Sequence, residues 1–235
     1  MNHSLKTLWV AIAAALIALS SSCKRTSASG TDLTATSDTA FVIEGTVEHI
    51  DDIIFPAGAK IWLVPFFGPH PRPVDSCIVE PDGKFRFEGN NELFATIRLS
   101  AKVRYGYQDL LVVTQPGTIH ATIGAVSTGS GTPMNDALED WKHHIEDYRT
   151  AMYECVQQLR SGAIDSASYK INTEKLNTEA GAYVYEFLHS HGSNTLTRAL
   201  NTIRFGKLTD EQKAELDELL KDTTNYDLPQ PGFRR

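Results

Sequence analysis

The chain has 235 residues, 41% apolar and 22% charged, with 22 Lys plus Arg against 29 Asp plus Glu and a formal net charge of −7. That length and apolar content suit one or two domains with real cores and exclude a disordered tail or a polytopic membrane protein. The acidic balance argues against the broad basic face that grips nucleic acid by neutralising phosphates, so no nucleic-acid partner is expected.

A short polar start with Lys6 leads into twelve consecutive apolar residues, Leu8 to Leu19, followed by Ser20-Ser21-Ser22 and Cys23. This three-part pattern reads as a signal peptide over residues 1–22. Twelve helical residues rise only about 18 Å against a hydrocarbon core of about 30 Å, so a transmembrane span is the poorer reading. Small residues directly before a cysteine resemble the lipobox of bacterial lipoproteins, which implies lipidation of Cys23 and attachment to a membrane through that lipid. Ser20 stands where the motif usually has leucine; ordinary signal cleavage and a retained anchor are the alternatives. Residues 23–40 then form the lipidated cysteine and a tether, since eight of the seventeen residues from Lys24 to Ala40 are Ser or Thr. A flexible chain of that length spans about 20–25 Å.

From Phe41 the dominant period is two, which predicts strands at Phe41–Val47, Lys60–Pro65, Val74–Glu80, Lys84–Glu88, Phe94–Val103, Asp109–Thr114 and Thr118–Ile123. Pro81-Asp82-Gly83 marks a tight hairpin that sends Phe85 and Phe87 to one face. Seven short antiparallel strands without an intervening helical pattern point to a small sandwich or open barrel over residues 41–131. The GAVSTGSG segment that closes it reads as a flexible connector.

After it the period becomes 3.6. Thr132 and Pro133 fit an N-cap and first helical residue, and Leu138, Trp141, Ile145, Tyr148, Met152, Cys155 and Leu159 form one apolar stripe. A second helix is expected from about Asp165 to His191-Gly192, with short helices at Thr195–Phe205 and Thr209–Asp222. Thr209 with Gln212 makes a capping box for the last. The expected class is α+β, an antiparallel β domain followed by a helical region at 132–222 and a frayed tail at 223–235.

The runs FVIEGTV, AKIWLVP, VDSCIVEPDGKFRFEG, the strand ending QPG and SGTPMND together resemble domain of unknown function 4369. Asp75-Ser76, Gly83, Phe85, Phe87, Gly117 and Asn135-Asp136 stand in the expected order over about Phe41 to Trp141. In Bacteroidota that domain commonly precedes a thioredoxin-like, peroxiredoxin-related oxidoreductase in lipoproteins, and the helices to Asp222 resemble the connector between the two. The resemblance implies that N-terminal module without its usual catalytic partner, because no Cys-x-x-Cys occurs anywhere in the chain. Surface-exported lipoproteins of that group often carry acidic residues just after the lipidated cysteine. Here Lys24 and Arg25 follow it and the first acid is Asp32, so residence in the periplasm, on the inner leaflet of the outer membrane, is expected.

No reactive set emerges from the remaining residues. Cys77 and Cys155 are isolated from one another in sequence and read as buried free thiols, with a disulfide as the alternative. His143 and His144 point about 100° apart on a helix, and no His-Glu-x-x-His occurs, so no metal site is expected. STGSGT lacks the Gly-Lys ending of a phosphate loop, and Ser76 lacks a nucleophile elbow. Trp62, in a strand with Ile61 and Leu63, is expected in the core. Phe66 and Phe67, beside Pro65, Gly68 and Pro69, are the candidate ligand contacts. The functional expectation is a lipid-anchored, non-catalytic binding or interaction module for an unidentified protein or small molecule, with no cofactor. The alternative is an accessory acting in trans on an envelope thiol-disulfide oxidoreductase.

Overall fold

The computed structural model describes residues 40–68 and 71–221. The expected signal peptide, Cys23, the tether up to residue 39 and the tail at 223–235 lie outside the described residues.

Eight strands and four helices follow one another: β1 Phe41–Val47, β2 Lys60–Pro65, β3 Asp75–Ile78, β4 Lys84–Gly89, β5 Phe94–Leu99, β6 Leu110–Val113, β7 Gly117–Ile123, β8 Thr128–Ser130, α1 Pro133–Ser161, α2 Ser166–His191, α3 Thr195–Asn201 and α4 Asp210–Leu219. The strands form two four-stranded sheets, one in the order β4-β1-β7-β8 and the other β3-β2-β5-β6. Period-two burial explains the sandwich. Ile43 and Val47 of β1, Phe85 and Phe87 of β4, and Ile119 and Ile123 of β7 meet Ile61, Leu63, Ile97, Leu99 and Leu110 of the other sheet in one core. Two glycines make room for aromatic rings in it. Gly45 pairs with Phe85 and Gly89 with Phe41 across the β1–β4 ladder, and a Cβ on Gly89 would lie 2.8 Å from the Phe41 ring.

The class is α+β, as the sequence predicts, but the pairing is not wholly antiparallel. β1 and β7 run parallel, from Phe41↔Gly117 to Val47↔Ile123. Parallel neighbours need a long crossover. Here β2 to β6 supply it in place of a helix, so no helical period signals it. The predicted GAVSTGSG connector is also corrected: Thr128–Ser130 within it pair with β7 as the edge strand β8, and Ser127 and Gly129 are buried. Gly124 N donates to Ser127 Oγ (3.1 Å), and that hydroxyl donates to Gln108 O (2.7 Å). Three residues centred on a glycine carry too little alternation to be read as a strand.

The helices cover the outer face of the second sheet at its β5–β6 end. Phe94 and Val113 point outward there and join Leu138, Trp141, Val184, Phe187, Leu188, Leu196 and Leu200 in a second core. Thr132 stands at the N-cap of α1 in extended conformation, followed by Pro133, but its side chain caps nothing. Its Oγ1 instead accepts from Asn135 Nδ2 at 2.7 Å. The buried Asn135 amide also completes the β6 edge, accepting from Val113 N at 2.9 Å and donating to Val113 O at 2.8 Å. Of the predicted α1 stripe only Leu138, Trp141 and Cys155 are buried; Met152 and Leu159 stay half-buried because the distal half of α1 faces little besides α2. The third helix ends at Asn201, short of the predicted Phe205. No helix among the described residues is long and apolar enough to cross a membrane.

Candidate ligand cleft

β3 and β4 are the edge strands of their respective sheets. A tight turn joins them, with Gly83 N donating to Glu80 O (2.9 Å) and Glu80 N to Lys84 O (2.8 Å). Away from that turn lies a cleft of about 390 Å³ lined from both sheets. One sheet contributes Lys60, Trp62 and Leu63 of β2 with Val74, Asp75 and Ser76 at β3; the other contributes Phe41 of β1 and Glu88 and Gly89 of β4, and the β4–β5 connection adds Asn90, Asn91 and Leu93.

Each contributor is held by local chemistry. Ile61 and Leu63 face the core, so the period of two turns Trp62 outward, where it is only partly buried. This corrects the expectation that Trp62 packs in the core; the alternation that placed Ile61 and Leu63 together was the signal that excluded it. Asp75 Oδ1 accepts from Ser76 N at 2.7 Å. The β4–β5 connection is pinned from behind, because Thr114 Oγ1 accepts from Leu93 N (2.7 Å) and donates to Asn91 O (2.6 Å). Thr195 Oγ1 donates to Glu92, tying the same connection to α3. The cleft therefore presents two carboxylates, a hydroxyl, two amides and an ammonium around one indole, on a fixed frame. Among the described residues no histidine or cysteine lines it, and none of them sets an imidazole beside the Ser76 hydroxyl to act as base. The set suits recognition through hydrogen bonds and ring contact.

The sequence-predicted contacts sit elsewhere. Phe66 packs edge-on against Phe94 at 5.2 Å and against Phe67 at 5.1 Å, and so joins the rim of the helical core. Phe67 stacks over Phe94 at 6.1 Å and remains 37% exposed. Neither lines the cleft. Cys77 and Cys155 are not joined by a disulfide and are both buried, the first inside the sandwich and the second on distal α1. Among the described residues no group of three or more His, Cys, Asp or Glu is placed to hold a metal ion. Histidines instead lie flat on aromatic rings, His144 on Tyr183 at 3.8 Å and His191 on Phe187 at 4.3 Å. Burial, helped by the Asp140 charge, pushes the Tyr183 hydroxyl up to about 12, and its oxygen is buried without a hydrogen-bond partner. A second hollow, on the outer face of the β4-β1-β7 ladder, is lined by residues such as Glu44, Arg86 and His120, and the Arg86–Glu44 ion pair (3.0 Å) lies on it.

Residues 41–138 match the family model described as Domain of unknown function (DUF4369). The matched span takes in both sheets and ends at Leu138, one turn beyond Asn135, so it includes the side chain that locks α1 to β6. No curated protein and no solved structure matches the chain.

Proposed function

For a chain that belongs, over residues 41–138, to the DUF4369 family, we propose the role of a lipid-anchored envelope protein whose β body is a non-catalytic binding module. The observation that carries this reading is the cleft at the β3 and β4 edges, where Trp62, Asp75, Ser76, Asn90 and Asn91 converge on a frame pinned by Thr114. Pre-set polar groups around one aromatic ring are what selective binding needs. The apolar run ending in Ser22-Cys23 supports attachment through a lipidated Cys23, and Lys24-Arg25 support a periplasmic orientation on the outer membrane, each basic residue adding about 1 kcal/mol of attraction to anionic headgroups. Because Cys77 and Cys155 are buried, any help this chain gives to an oxidoreductase in trans would run through binding.

The binding role is tested by placing a photo-crosslinking amino acid at Asn90, in the cleft, and at Thr122, on the outward face of β7 and outside the cleft, in living cells. Discrete adducts are expected from position 90 and not from position 122; adducts from 122 alone would reject the cleft. Lipidation is tested separately by mass spectrometry of the mature N-terminus, where an acylated Cys23 is expected and a plain cleavage at another residue would overturn it. Protease added to intact cells is expected to leave residues 41–221 whole, and shaving of that region would place the protein on the cell surface.

A further inference from the structure

We propose that the cleft takes an extended polypeptide segment, which pairs main chain to main chain with the open edge of β3. This deepens the binding reading above and rests on it. β3 has a partner on one side only, since the sheet order begins β3-β2. Val79 N donates to Ala59 O (2.9 Å) and Gly58 N to Val79 O (2.8 Å), so the alternate residues Ser76 and Ile78 turn their main-chain groups away from β2. The Ser76 amide, on that open side, is met by the Asp75 carboxylate at 2.7 Å. An acceptor from the same chain thus stands where the carbonyl of an added strand would stand.

Of the guards usual on edge strands, β3 has shortness, the Asp75 charge and Pro73 before it. It nonetheless presents apolar side chains along its outer face, Val74 just before it and Ile78 at its end, at 54% and 48% exposure. A strand lying about 4.8 Å beyond β3 would run along the cleft, and its side chains would alternate. One set would meet Val74 and Ile78, and the other would face the apolar side of the cleft made by Phe41, Leu63 and Leu93. The ligand class is therefore an extended peptide with apolar residues at alternate positions, read by pairing along its backbone.

A displayed library of random decapeptides, panned against the full chain and against the Val74→Lys/Ile78→Lys variant, tests this. Both positions are exposed, so circular dichroism and the urea midpoint should match the wild type. The wild type is expected to enrich peptides with β-branched or aromatic residues at alternate positions, and the variant to lose that enrichment. The best peptide is then made with N-methyl groups on alternate amides. In the register facing β3, methylation is expected to weaken binding about tenfold, the weight of one or two hydrogen bonds, while the other register changes little. Equal enrichment on both proteins, no enrichment on either, or equal tolerance of methylation in both registers would overturn the inference. Adducts at position 90 together with any of those outcomes would leave the cleft a binding site for another class of ligand, such as a hydroxyl-rich glycan, and no adducts would remove the binding reading itself.

Discussion

At Gly45 the missing side chain is filled by a neighbour: the Phe85 ring lies directly over it across the β1–β4 ladder, and any Cβ would collide with that ring. Valine has the better strand propensity, yet Gly45→Val is expected to destabilise the protein by about 1–3 kcal/mol, because overpacking outweighs propensity in a filled core. A lowered urea midpoint with an unchanged m-value would bear this out. Tyr183 presents the opposite case, a polar atom the fold does not use. Its hydroxyl is buried without a partner, so Tyr183→Phe is expected to leave stability at neutral pH unchanged or raise it by up to about 1 kcal/mol. The alkaline behaviour follows from linkage. The native state keeps the proton to about pH 12, while the unfolded chain releases it near 10. The native form therefore binds more protons between those values, its stability is intact below pH 10, and it falls as pH rises to 12. Urea midpoints at pH 8 and pH 11.5 should diverge less in Tyr183→Phe than in the wild type; equal divergence would refute the assignment.

At the scale of elements, α1 is joined to the sandwich by its first turns. Asn135 satisfies both main-chain groups of Val113, Glu139 Oε1 accepts from Gly129 N at 2.7 Å, and Asp136 Oδ1 from Gly131 N at 2.8 Å. Asn135→Ala leaves the Val113 N–H without its partner in a buried setting, while Val113 O keeps its bond from Gln115 N (2.8 Å), and is expected to cost about 1–3 kcal/mol. Asn135→Asp should restore it only in part, since its carboxylate can accept from Val113 N but cannot donate to Val113 O or Thr132 Oγ1 and sets a negative charge against that carbonyl. Thermal unfolding of the two variants checks this. The sequence marks Asn135-Asp136 only as part of a recurring pattern, because a side-chain amide standing in for a strand depends on the partner's position in space. Helix boundaries were more legible. Asp165 accepts from Ser168 N at 2.7 Å as the N-cap of α2, and Thr209 and Gln212 form the expected box for α4, because capping is decided within four residues.

Across the whole molecule, the sequence conveys the change from period two to period 3.6 near residue 132, and with it the division into β body and helices. It does not convey the order of strands. The parallel β1–β7 pair joins segments about seventy residues apart, and no local pattern encodes such a partner. The cleft was not legible: the sequence reads Trp62 as core, Asp75-Ser76 as a family marker and Phe66 and Phe67 as the contacts, and Asn90 and Asn91 read as an ordinary turn until the second sheet is set beside the first. The structure also sets where proteolysis should begin. The segment 125–131 carries β8 and two buried residues, whereas Tyr105 is 85% exposed at the tip of the β5–β6 connection. Within the described residues chymotrypsin is expected to cut first after Tyr105, and more slowly after Tyr153, which is 64% exposed but helical. Early cleavage after Tyr153 would show that the distal helices open readily.

The parallel pair also sets an order of assembly. β1 lies between β4 and β7, so the strand nearest the N-terminus cannot acquire both neighbours until residues up to Ile123 are present. Contacts of such long range are slow to form, on the order of milliseconds to seconds in β proteins. A nascent chain that has emerged only as far as β6 therefore holds Phe41 and Ile43 on an unfinished sheet. For a polypeptide that the proposed export would thread across a membrane unfolded, late closure by β7 keeps the chain slack until its first half has passed.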